Sequence, residues 1–130
     1  MANLLEDFIT YLTNQGVVTG DGVDAFRDIQ PDKPDDVVTV REYAGSPTTT
    51  GVEAVERSLQ ILARSKTPSV ARSKIHQIFN LIDTPLNRIK YLTETRWIVA
   101  YARQTPFKYN VDANGRTVFA FNLGVATTRD

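Results

Sequence analysis

The chain has 130 residues, 42% of them hydrophobic, with fifteen basic and fifteen acidic side chains, one histidine and no cysteine. That length implies one domain over residues 1–130 with a single core, and the missing cysteines exclude disulfides, thiolate metal sites and cysteine nucleophiles. A net charge of zero argues against a dedicated nucleic-acid binder, and no apolar run approaches the roughly 20 residues that span a bilayer, so no membrane partner is expected.

The N-terminus carries Glu6 and Asp7 and no basic stretch, so no signal peptide is expected and synthesis in a cytoplasm is. Leu4, Leu5, Phe8, Ile9 and Leu12 recur at helical spacing. Asn3 stands at the N-cap with Glu6 three residues on, and Gly16 stands where a left-handed residue ends a helix. A turn at Gly20-Asp21-Gly22 precedes a weak strand signal over 23–29, and Pro31-Asp32-Lys33-Pro34-Asp35 reads as a polar loop.

Val37 to Tyr43 is β-branched and bounded by breakers, which predicts a strand. Residues 44–51 form a loop whose small polar residues predict a mobile excursion. Residues 53–64 are ambiguous between helix and strand, with a strand from about Ser58 favoured. Thr67-Pro68 opens a second helix whose buried stripe is Val70, Ala71, Ile75, Ile78, Phe79 and Ile82, and Asp83-Thr84-Pro85 stops it. Three strand-like segments follow, at 88–92, 96–103 and 116–125. Trp97, Val99 and Tyr101 share one face of the middle segment, and Asn114-Gly115 marks a hairpin turn before the last. The predicted fold is α+β, a largely antiparallel sheet with two helices packed on one face, in the order α-β-β-β-α-β-β-β.

Charge is segregated along the chain. Residues 1–47 hold nine acids against three bases and residues 48–108 four acids against ten bases, −6 and +6. If those segments occupy different faces, a copy can pair head-to-tail with the next, the geometry that closes rings. The candidate subunit-contact residues are Arg57, Arg64 and Arg72 on the basic side and Asp32, Asp35 and Asp36 on the acidic side.

Catalytic chemistry has little to work with. His76 is the sole histidine and falls mid-helix between Ile75 and Gln77, where it reads as a surface or boundary residue. Asp32, Asp35 and Asp36 cluster without EF-hand spacing and read as a solvated turn. No glycine loop ends in Gly-Lys-Ser/Thr. The aromatics Tyr91, Trp97 and Tyr101 sit at strand period, where core or interface is the simpler reading than base stacking. No catalytic residue, cofactor or metal is predicted.

Three stretches together carry a resemblance. The first is Ile29-Gln30-Pro31-Asp32-Lys33-Pro34-Asp35-Asp36 into the strand Val37–Tyr43 and Ala44-Gly45-Ser46-Pro47. The second is Leu59-Gln60-Ile61-Leu62-Ala63-Arg64 followed by a helix. The third is Gln104-Thr105-Pro106-Phe107-Lys108-Tyr109, then Asp112, Gly115-Arg116, Phe119 and Asn122. In this order they resemble the tail-terminator and minor capsid (neck) proteins of long-tailed, siphovirus-type bacteriophages, over about residues 25–127. The pattern is a prolyl-aspartyl turn before a strand, a Gly-Gly-x-Pro-like loop, a strand ending in arginine, a helix, a Gln-x-Pro step and a late Asp…Gly-Arg…Phe…Asn strand. Ala44 departs from it where the family often has a second glycine.

The resemblance implies a virion structural protein that catalyses no reaction. Such a protein forms a homo-oligomeric, hexameric ring on the head-proximal end of the tail tube. It stops tube polymerisation, meets a head-completion (stopper) protein, and lets genomic DNA pass through its lumen unread. Assembly in the bacterial host cytoplasm and residence in the virion tail or neck follow. Another head–tail neck component is the alternative within this class, and a nucleic-acid-binding domain the alternative outside it. The resemblance assigns no catalytic residues, and for Asp112 and Arg116 it favours loop architecture over ligand binding.

Overall fold

The structure, a computed structural model, describes residues 3–45 and 54–128. The elements run α1 (Leu4–Asn14), β1 (Ala25–Arg27), β2 (Val37–Tyr43), β3 (Ala54–Ser65), α2 (Pro68–Ile82), β4 (Ile89–Tyr91), β5 (Trp97–Ala102), β6 (Phe107–Val111) and β7 (Thr117–Thr128). The fold is α+β and the element order matches the one read from the sequence, with β6 as an added strand. Of the stretch 53–64 the described residues, from Ala54 on, are strand: β3 begins four residues before Ser58. The excursion at 44–51 lies, beyond Ala44 and Gly45, outside the described residues.

Local signals explain both helices. The Asn3 side chain accepts a hydrogen bond from the Glu6 N–H at 2.9 Å, satisfying one of the free N–H groups of α1. Gly16, at φ 74°, takes the left-handed conformation just past its end. In α2 Pro68 occupies the first turn, and Ala71, Ile75, Ile78 and Ile82 are buried. Val70 departs from the predicted stripe: it is 45% exposed.

Among the described residues the strands form one sheet in the order β1-β2-β3-β7-β5-β4, antiparallel except where β1 runs parallel to β2. β7 is its spine. It pairs with β3 along its whole length on one side; on the other it pairs with β6 over its first residues and with β5 beyond. Alternation along the strands then sorts the two faces. Val38, Val40, Leu59, Ile61, Ile98, Phe119, Phe121 and Leu123 join the stripes of both helices in one core. Phe79 meets Phe121 edge-on at 5.5 Å, locking α2 over the spine.

Among the described residues the opposite face carries no helix. It presents Thr39 and Arg41 from β2, Ser58, Gln60, Leu62 and Arg64 from β3, and Val118, Ala120 and Asn122 from β7. Its apolar part is the small cluster of Leu62, Val118 and Ala120. Trp97, Val99 and Tyr101 share this face and are half-buried. Gly124 makes room for Tyr101, since a Cβ there would lie 2.5 Å from the tyrosine ring.

Candidate functional site: a two-arginine clamp on the acidic loop

Three pieces of the sequence pattern converge at one end of the helix-free face. Arg64 stands near the end of β3 and Arg116 just before β7, and they are only 4% exposed. Arg64 spends its guanidinium on the backbone of the prolyl-aspartyl turn. Nε donates to the Asp35 carbonyl at 3.1 Å, and Nη2 donates to the carbonyls of Pro34 at 2.6 Å and Asp32 at 3.2 Å.

Arg116 takes the side chains of the same turn. Nη2 donates to Asp32 Oδ1 at 3.0 Å and Nη1 to Asp35 Oδ1 at 3.3 Å, while Nη1 also reaches the Asp32 carbonyl. The Lys33–Pro34 peptide within the turn is cis.

Asp112 secures the second arginine. Its Oδ1 accepts from the N–H groups of Asn114 at 3.0 Å and Arg116 at 2.9 Å, closing the β6–β7 hairpin around Gly115 at φ 76°. Its Oδ2 accepts from Arg116 Nε at 2.8 Å. The Arg116 N–H, then its guanidinium and the Asn114 N–H, hold the Asp112 carboxyl below the usual carboxylate range, outweighing desolvation. For Arg116 burial opposes the charge, but bonds to Asp112 and Asp32 prevail and raise its pKa. Arg64 shifts the other way: burial first, then the Arg116 charge, lowers it. Two guanidinium groups side by side are thus tolerated because three aspartates and three carbonyls surround them.

The late Asp…Gly-Arg motif, the arginine-ended strand and the prolyl-aspartyl turn are therefore parts of one clamp. It ties a loop to strands some thirty and eighty residues away in sequence. Gly45 is explained as well: a Cβ there would lie 2.4 Å from the Glu56 carbonyl, so β3 passes against it without room for a side chain. At Ala44, where the family pattern often has glycine, the methyl group is exposed.

The six predicted contact residues thus separate. Asp32, Asp35 and Arg64 meet in the clamp; Lys66 adds a 3.5 Å ion pair to Asp35. Arg57 forks onto Glu42 at 2.5 and 2.6 Å within the same chain. Arg72 is exposed on α2 with its guanidinium 5.1 Å from the centre of the Phe119 ring. Asp36 is exposed and lines a depression of about 320 Å³ with Val18, Asp24, Arg64, Val70 and Lys74. Lys74 there donates to the Val17 carbonyl at 2.6 Å.

Sequence reasoning missed the pair Arg96–Asp7, at 2.7 Å and nearly fully buried, which fastens α1 to the β5–β7 side. Arg96 also donates to Thr127 Oγ1 at 3.3 Å and the Thr128 carbonyl at 3.2 Å. Its only sequence signal is an arginine beginning an apolar strand.

Reactive-looking groups are likewise engaged in architecture. Asp83 Oδ1 accepts from the Ala102 N–H at 2.9 Å and Arg88 Nη1 at 2.8 Å, joining the end of α2 to β5. Desolvation there would raise its pKa, but these two donors outweigh it and hold it low. His76 is exposed on α2 with its ring edge-on to Phe79 at 6.4 Å. Among the described residues no group of three histidine or carboxylate side chains is placed to hold a metal ion, and no helix is long and apolar enough to cross a membrane.

The clamp, the Arg96–Asp7 pair and the Asp83 bonds each join one element of the fold to another. The family described as bacteriophage tail terminator protein matches residues 11–129, and the chain belongs to that family. It is a structural protein of the bacteriophage tail. No curated protein sequence matches the chain.

Proposed function

We propose that the chain forms a homo-oligomeric ring, a hexamer, on the head-proximal end of the tail tube, and that it catalyses no reaction. There it stops tube polymerisation and offers its free side to a head-completion protein. Genomic DNA passes through the lumen without being read, and the ring assembles in the host cytoplasm before heads attach.

The supporting observation is the state of the sheet edges. β4 ends the sheet with Ile89 and Tyr91 exposed at 53% and 68%, and Leu86 just before it is wholly exposed. β6 is exposed at every residue, Phe107, Tyr109 and Val111 included. Unpaired edges bearing apolar side chains are templates for pairing, and a subunit that worked alone would gain from covering them.

Native mass measurement and negative-stain images of the purified protein and of assembled tails test this. A six-fold ring at the tube end supports the reading. A chain located on the head side of the neck, or absent from tails, overturns it. Strong salt-dependent DNA binding by the isolated chain would instead favour a nucleic-acid role.

A further inference from the structure

The helix-free face holds a second polar patch, away from the clamp. Among the described residues two buried side-chain polar atoms lack a hydrogen-bond partner, Thr39 Oγ1 and Arg41 Nε, and both belong to this face of β2. Arg41 pairs across the sheet with Gln60 of β3, and Gln60 with Asn122 of β7, so the three lie in one row. They line a depression of about 310 Å³ together with Glu42 and Tyr43.

The acid in that lining, Glu42, is already engaged by Arg57. A second cation, Arg103, stands nearby, its guanidinium 5.6 Å from the centre of the Tyr101 ring and 3.0 Å from Ser58 Oγ. A planar guanidinium beside two carboxamides, with no carboxylate committed to it, is chemistry suited to a carboxylate from outside the chain.

The complementary group stands at the other end of the same strand. Asp36 immediately precedes β2 and is exposed, and among the described residues its carboxylate has no ion-pair or hydrogen-bond partner, whereas its neighbours Asp32 and Asp35 are consumed by Arg116. Five residues of strand put Asp36 about 17 Å from Arg41 along β2, so the two cannot meet within one chain. The loop carrying Asp36 is held by the clamp, so presenting its carboxylate requires little further ordering.

We infer that the Arg41–Gln60–Asn122 depression is a carboxylate site that receives Asp36 of a second copy of this chain. The contact is head-to-tail, the middle of one subunit's helix-free face meeting the clamped end of its neighbour's sheet, two different surfaces as ring closure needs. This deepens the ring reading and rests on it.

The full-length chain tests it through Arg41→Glu, Asp36→Arg and the double swap. Each single reversal weakens self-association about tenfold or more, and the swap restores it. Arg41→Gln, with thermal melts on every variant, separates loss of the charge from loss of folding. Association of Arg41→Glu equal to the unsubstituted chain overturns the inference and leaves the ring standing. A swap that fails to restore association overturns Asp36 as the partner.

If the purified chain is monomeric, the same question is put to assembled tails. The sequence has no cysteine, so an Arg41→Cys/Asp36→Cys chain gives a clean readout under mild oxidation. The two positions are too far apart to close within one chain. A ladder of covalent multimers supports the contact, each single-cysteine variant stopping at monomer or dimer, and monomer from the paired variant overturns it. Tails holding only one copy would overturn the ring and this contact together.

Discussion

Two places on the helix-free face use arginine in opposite ways. At one, Arg64 and Arg116 are buried, and Nε and Nη2 of Arg64 and all three guanidinium nitrogens of Arg116 meet oxygens of the Asp32–Asp35 turn or Asp112. At the other, Arg41 has a buried Nε with nothing to donate to. Residue type is the same, though Arg41 is half-buried where the other two are fully buried; what decides their roles is whether the oxygens belong to the same chain. A guanidinium whose oxygens are internal stabilises the subunit. One whose oxygens are missing is available to another molecule. The −6/+6 split treats all these charges alike, yet much of the basic middle is consumed internally, Arg57 by Glu42, Arg64 by the turn and Arg96 by Asp7.

The largest expected effect is at the most deeply committed pair. Asp7→Ala leaves Arg96 buried without its carboxylate and should cost about 3–5 kcal/mol, read as a lower urea midpoint at unchanged slope. Arg64→Ala comes next. It frees three carbonyls of the turn and should cost about 2–3 kcal/mol, with faster amide exchange over residues 32–36 than elsewhere. Equal exchange across the sheet would show that Arg64 does not hold the loop.

The clamp also has an acid limit. Asp112 has a folded pKa below its ordinary value near 3.9, so its contribution is full above that value and is lost as pH falls through the depressed folded pKa. Unfolding curves of the unsubstituted chain should weaken over that acid window. Asp112→Asn should be less stable at neutral pH and flatter across the window. An unchanged acid limb in Asp112→Asn would assign the loss to other carboxylates.

How legible this was depends on the kind of partner each residue has. Local partners leave marks: Asn3 and Glu6 at the start of α1, Pro68 at the start of α2, and the alternation through Phe119, Phe121 and Leu123 all predict their elements. β6 did leave a mark, Phe107, Tyr109 and Val111 alternating with Lys108 and Asn110 ahead of the Asn114-Gly115 turn, but the run is only five residues long and exposed throughout, so it is the weakest of the strand signals. Asp32, Asp35 and Arg64 were singled out for their charge, but their meeting was hidden. Arg64 bonds to backbone carbonyls about thirty residues away, and carbonyls have no sequence signature. Arg41 was hidden more completely, since an orphaned nitrogen is defined by what fails to surround it.

The smallest effect on stability is therefore expected where the effect on assembly is large. Arg41→Gln removes a buried donor that has no partner, so it forfeits no internal hydrogen bond from that atom. The subunit's unfolding free energy should change by no more than about 0.5 kcal/mol and can rise. Arg64→Ala, by contrast, should lower stability whether or not the chain assembles. Measuring both variants at a concentration where the chain is monomeric separates the two sites. If Arg41→Gln destabilised the monomer as much as Arg64→Ala, Arg41 would be a structural residue like the other two, and the distinction between committed and available arginines would fail.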